Sequence, residues 1–164
     1  MGLADLDQSK AMNWIYTAEA AHHYIEKTEA IAITAEPLNM SPTVDTLQAF
    51  SDAWNAHDLE ALMSFMAEDC VFHAVGGPDV LGRSFRGRDA VRAGFELAWK
   101  TFPDAAWLDP VHFVCGERGV TESTFRGTRA DGVRIEARMV DVFTFAGGRI
   151  AVKNAFRKER IPAR

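Results

Sequence analysis

The sequence predicts an α+β domain: a curved, mainly antiparallel sheet forming a cone-shaped barrel, covered by three helices and preceded by a helical extension. Three observations carry this. Helical hydrophobic spacing is gathered in the first half of the chain, apolar strands joined by short glycine turns fill residues 106–157, and prolines mark a boundary near residue 40. Helices that precede a consecutive meander pack on one face of its sheet, and a strongly bent sheet leaves a cavity beneath them.

Residues 1–40 are rich in Ala and Glu, and Met12, Ile15, Tyr16 and Ile25 form a helical stripe, so this segment reads as an N-terminal helical extension. It ends at "EPLNMSP", where Pro37 and Pro42 break helices and Ser41-Pro42 reads as an N-cap with a first-turn proline. A domain over 41–160 begins there; Met40 is an alternative initiator. Leu47, Phe50 and Trp54 share one helical face, and Asp58 caps a second helix carrying Leu59, Leu62, Met63 and Met66. "CVFHAV" (70–75) is a short strand, followed by the loop "GGPDVLGRSFRGR" with a further short strand near Phe85. A third helix, capped near Asp89, presents Val91, Phe95, Ala98, Trp99 and Phe102 before Pro103 stops it. Strands over 106–115, 119–127, 133–145 and 150–157 follow, separated by "CGERG", "RADG" and "GG".

The 164 residues carry a net charge of −5 with scattered Lys and Arg, which argues against nucleic acid as a partner. Cys70 and Cys115 have no disulfide or metal spacing, sit in apolar runs and read as reduced core residues of a cytoplasmic protein; no segment reads as a leader or a membrane span. Of Glu19-x-x-His22 and His23-x-x-Glu26, the first resembles half of a di-iron helix motif, but no second such helix exists in the sequence and adjacent histidines point to different sides of a helix. Phosphate-loop, dinucleotide and nucleophile-elbow motifs are absent, so neither metal nor cofactor is implied.

The chemistry concentrates in "RMVDVFTFAGGRIAVKNAF", residues 138–156. Alternation puts Val133, Ile135, Ala137, Met139, Asp141, Phe143 and Phe145 on one apolar face, where a lone ionised carboxylate is costly. Asp141 must then stay protonated, with a raised pKa, or find donors. A two-residue turn at Gly147-Gly148 sets Asp141 opposite Asn154, with Val152 and Phe156 on the same inner face. One more loop residue would bring Lys153 or Ala155 opposite instead, and Lys153 and Arg157 would become charge partners; the apolar Val152 and Phe156 favour Asn154.

The segments "AFSDAWNAHDLEALMSFMAEDCVFH", "GRDAVRAGFELAWKTFPD" and "VDVFTFAGGRI", within about residues 43–158, resemble the nuclear transport factor 2-like superfamily, specifically SnoaL-like proteins and ketosteroid isomerases. The isomerase resemblance implies that Asp141 is an acid held protonated to donate to an oxyanion. It also places the isomerase's tyrosine at Phe50 and its aspartate base at Ala74, so steroid isomerisation by that route is not expected. Likeness to SnoaL-like cyclases puts their histidine at Asp141 and their aspartate at Asn154 or Ala155. His73, beside the missing base, titrates near neutrality and becomes the candidate base if the Gly76-Gly77-Pro78 loop turns it inward. Asp79 and Arg83 sit at the expected pocket mouth, and His112, out of phase with Val111, Phe113 and Cys115, is expected on the outer face.

The sequence thus assigns Asp141, His73 and Asn154 as catalytic candidates and Phe50, Trp54, Phe72, Phe95, Trp99, Met139, Phe143 and Val152 as the pocket. The expected ligand is a small hydrophobic cyclic or aromatic molecule, and the expected chemistry is acid–base: isomerisation, cyclisation, dehydration or hydrolysis. The alternative is a non-catalytic binding or accessory module. A homodimer is expected from the family likeness and from the outer strip of Val140, Val142 and Thr144.

Overall fold

A computed structural model describes residues 41–159, so the expected helical extension and its His/Glu pairs lie outside the described residues. Helix α1, Val44–Asn55, starts one turn signal later than Ser41-Pro42 suggests. The Thr43 hydroxyl accepts from the Thr46 amide and the Thr46 hydroxyl accepts from the Thr43 amide, which satisfies two orphan donors reciprocally. Asp58 caps helix α2, Leu59–Phe65, through the Ala61 amide at 2.9 Å, as its position predicts.

Strand β1, Met66–His73, follows α2 directly, and β2, Ser84–Arg86, pairs with it. Helix α3, Arg88–Thr101, is preceded by Gly87 at φ +78° and has no side-chain cap; Asp89 lies inside its first turn. The meander consists of β3 (Ala106–Cys115), β4 (Arg118–Thr128), β5 (Arg134–Ala146) and β6 (Arg149–Arg157). These strands form one curved, open six-stranded sheet in the order β2-β1-β6-β5-β4-β3, antiparallel except where β6 lies parallel to β1. Helix α1 packs on β3 and α3 on β1 and β2, so the helices cover one face. Phe50 meets Phe143 edge to face at 5.7 Å across that layer, among Leu47, Leu62, Met63, Phe95 and Phe145, which are fully buried.

Two bulges decide which side chains face the helices. At the β5–β6 hairpin, Gly147 and Gly148 have φ of +56° and +75°, and Ala146 and Phe145 pair with Arg149 and Ile150 as a two-residue turn requires. Ala151 is then an extra residue, and Thr144 pairs with Val152. Asp141 consequently faces Ala155, correcting the expected Asn154 pairing. Lys153 and Ala155 are buried on the inner face, whereas Val152, Asn154 and Phe156 alternate to the outer one.

The second bulge lies between Leu108 and Val111 of β3, where Asp109 has φ +50°. It turns Trp107 inward and leaves Val111 and Phe113 51% and 57% exposed. His112 therefore points toward α1, against expectation: its ring nitrogens lie 2.8 Å from Thr121 Oγ1 and 3.2 Å from Gln48 Oε1.

Candidate functional site

A cavity of about 350 Å³ opens between α3, α1 and the inner sheet face, with apolar walls that include Trp54, Phe72, Phe85, Trp107, Phe125 and Met139. Four cationic side chains also reach it: Arg83, Arg129, Lys153 and Arg157. Among the described residues no Asp, Glu or His lines the cavity.

Lys153 is the most buried of these cations, 2% exposed, because the Ala151 bulge turns it inward. Its Nζ donates to Asp141 Oδ1 at 2.7 Å and lies 5.4 Å from the Trp54 ring centre and 5.1 Å from that of Phe72. An ammonium has three donors, and the carboxylate takes one of them. Two aromatic faces supply further electrostatic support for the positive charge. Asp141 is 6% exposed and does not line the cavity; it acts there only through Lys153. Of the two fates open to a carboxylate on this apolar face, Asp141 has found a donor.

Trp54 lines the cavity, and its indole N–H is buried with no acceptor among the described residues. At another side, the Arg157 guanidinium lies 4.8 Å from the Phe125 ring centre and 5.7 Å from that of Phe102. Burial pulls Arg157 below the usual arginine range. Arg129 pairs with Asp131 at 2.8 Å, and Arg83 sits exposed at the cavity, where the sequence placed it.

The other candidates fall elsewhere. His73 lies between Phe72 and Ala74, both of which line the cavity, so alternation points its ring to the other face. There its Nδ1 is 2.8 Å from Ser84 Oγ, and burial, helped by the nearby Arg86, lowers its pKa. Asn154 is the parallel neighbour of His73 on that outer face, away from Asp141. Of the expected pocket residues, Trp54, Phe72 and Met139 line the cavity. Phe50, Phe95 and Phe143 are packed in the core behind it, Trp99 stacks on His57 at 5.0 Å, and Val152 faces outward. Lys153 and Arg157 entered the sequence reading only as partners in an alternative register; their signal was a pair of cations on the apolar strand "IAVKNAFR". Among the described residues no cluster of three metal-binding side chains occurs, and no helix is long and apolar enough to cross a membrane.

The SnoaL-like domain family matches residues 47–153. No curated protein matches the chain. Among solved structures, the fold is similar to a provisionally assigned polyketide cyclase from Pseudomonas putida KT2440 (TM-score 0.60, 21% identity, covering 67% of this chain and 86% of that one). It is also similar to a protein of unknown function with a cystatin-like fold from Xanthomonas campestris (TM-score 0.64, 19% identity, 72% and 92% covered). A third is a hypothetical protein with a ketosteroid isomerase-like fold from Catenulispora acidiphila DSM 44928, in complex with trimethylamine (TM-score 0.60, 16% identity, 70% and 85% covered). At these identities the likeness is one of fold.

Proposed function

Because the chain belongs to the SnoaL-like domain family, we propose that it is a cofactor-independent acid–base enzyme acting on a small hydrophobic cyclic or aromatic carbonyl compound, with Lys153 as its catalytic residue. The observation that carries this reading is a buried ammonium at an aromatic cavity wall, tethered by a carboxylate that does not itself reach the cavity. Lys153 donates to the substrate carbonyl and stabilises the charge that develops on oxygen, in a site where low polarity strengthens the interaction. When the proton passes fully to that oxygen, the neutral amine left behind can take the proton from the adjacent carbon. The net change is ketone to enol, with Lys153 returned as the ammonium. Asp141 is a positioning residue that fixes Nζ and balances its charge. His73 and Asn154, directed to the other face, have no part in this mechanism.

Two further readings accompany it. Cys70 is buried, whereas Cys115, expected in the core, is exposed; both thiols are free, which supports a cytoplasmic protein. The exposed Val111, Phe113 and Phe156 on the outer sheet face, beside half-buried Val140 and Val142, support a homodimer through that face.

The test follows proton exchange into deuterated water at the carbon beside the carbonyl of 1-tetralone and related cyclic ketones, by NMR. The wild-type protein accelerates exchange and Lys153→Met returns it to the uncatalysed rate. Ketones that bind, as read by tryptophan fluorescence, yet exchange no faster than in buffer would replace this reading with the binding-module alternative.

A further inference from the structure

We propose that the natural ligand of this cavity is an organic acid, an aromatic or alicyclic carboxylate whose anionic group is held by Arg157 while its ring system lies against the aromatic wall. This rests on the reading of the cavity as the ligand site and adds the charge of what occupies it. Charge asymmetry is the first support. The chain carries a net charge of −5, yet the ionisable groups lining the cavity are all cationic among the described residues. Two of the four are already balanced, Lys153 by Asp141 and Arg129 by Asp131. Arg157 has no carboxylate partner among the described residues.

Its geometry is the second support. The guanidinium lies over Phe125 at 4.8 Å and near Phe102 at 5.7 Å, and an arginine seated on aromatic faces keeps its donor edge free for a planar, two-pronged acceptor. Both rings line the cavity, so the apolar part of a ligand and its anionic group are recognised side by side. Burial without a counter-charge is unfavourable for Arg157, and an incoming carboxylate would relieve it. Hydrogen-bonding capacity points the same way. Arg157 and Lys153 both donate, which suits a ligand rich in acceptor oxygens. Arg83, exposed at the cavity, adds attraction for an approaching anion.

Affinities of the full chain for 2-naphthoate and for its neutral counterpart 2-naphthalenemethanol, by calorimetry and tryptophan quenching, test this. The carboxylate should bind about tenfold or more tightly than the alcohol, a separation typical of one charge-assisted contact, and the two should converge in Arg157→Met. Arg157→Lys, which keeps the charge and loses the fork, should fall between. Equal affinity of the two probes in the wild-type protein, or an undiminished preference in Arg157→Met, overturns the inference and leaves the hydrophobic cavity reading intact. Displacement of 2-naphthoate by equimolar inorganic phosphate overturns it too, since the site would then read a bare anion. Binding of neither probe removes both readings together.

Discussion

At the scale of single residues, the Lys153–Asp141 pair, on which the proposed chemistry rests, is also the vulnerable point of the domain. Both side chains are nearly sealed from water, so deleting one partner strands a charge. Asp141→Asn should lower unfolding free energy by about 3–5 kcal/mol in urea titrations, and adding Lys153→Met to it should restore most of the loss, because a buried pair replaced by apolar bulk is often neutral. A single variant as stable as the wild type would mean that water reaches the pair. His73 and His112 give a separate signature. Burial lowers both below the ordinary 6.5, so the folded protein holds them neutral while the unfolded chain binds more protons. Stability should be complete above pH 6.5 and fall as pH drops through their folded values, with a shallower slope in His73→Gln; a urea midpoint flat from pH 7 to 5 would contradict this. Asp141 was legible as an anomaly because it is the one carboxylate among the six inward positions of β5. Its partner was not, since Lys153 and Asn154 are adjacent and only register chooses between them.

At the scale of elements, the start of α2 and the hairpin turns were legible because Asp58 and the turn glycines act locally, while α1 and α3 begin at Thr43 and Gly87 instead of the expected Ser41 and Asp89; bulges are settled by packing from both sides. Ala151 and Asp109 each shift alternation by one residue. Those two shifts misplace Asn154, Val152 and His112, while β5, which has no such break in its pairing with β4, reads correctly along its whole length. The aromatic cavity wall depends on one close approach. A Cβ on Gly94 of α3 would stand 2.7–2.8 Å from the Phe85 ring of β2. Gly94→Ala should gain about 1 kcal/mol of helix propensity and lose more through that overlap, for a net loss on the order of 1–2 kcal/mol. Thermal unfolding measures it, and a stabilised variant would show that Phe85 moves aside freely.

At the scale of the whole molecule, the fold class was legible from element order, since helices followed by a meander leave few arrangements. The parallel β1–β6 contact that completes the sheet joins residues 80 or more positions apart, and no local signal marks it. The outer face carries Val111, Phe113 and Phe156 in water, and sedimentation at micromolar concentration should give twice the 18.2 kDa of one chain. Phe113→Glu should return it to the monomer. A wild-type monomer would remove the dimer reading and leave the cavity untouched. The central claim is that the Lys153 ammonium meets the ligand, and lysine ¹⁵N NMR addresses it directly. An ammonium held between Asp141, Trp54 and Phe72 should give a resolved Nζ signal that vanishes in Lys153→Met and shifts when 1-tetralone fills the cavity. A ketone that quenches tryptophan fluorescence while the Lys153 signal stays in place would contradict the account.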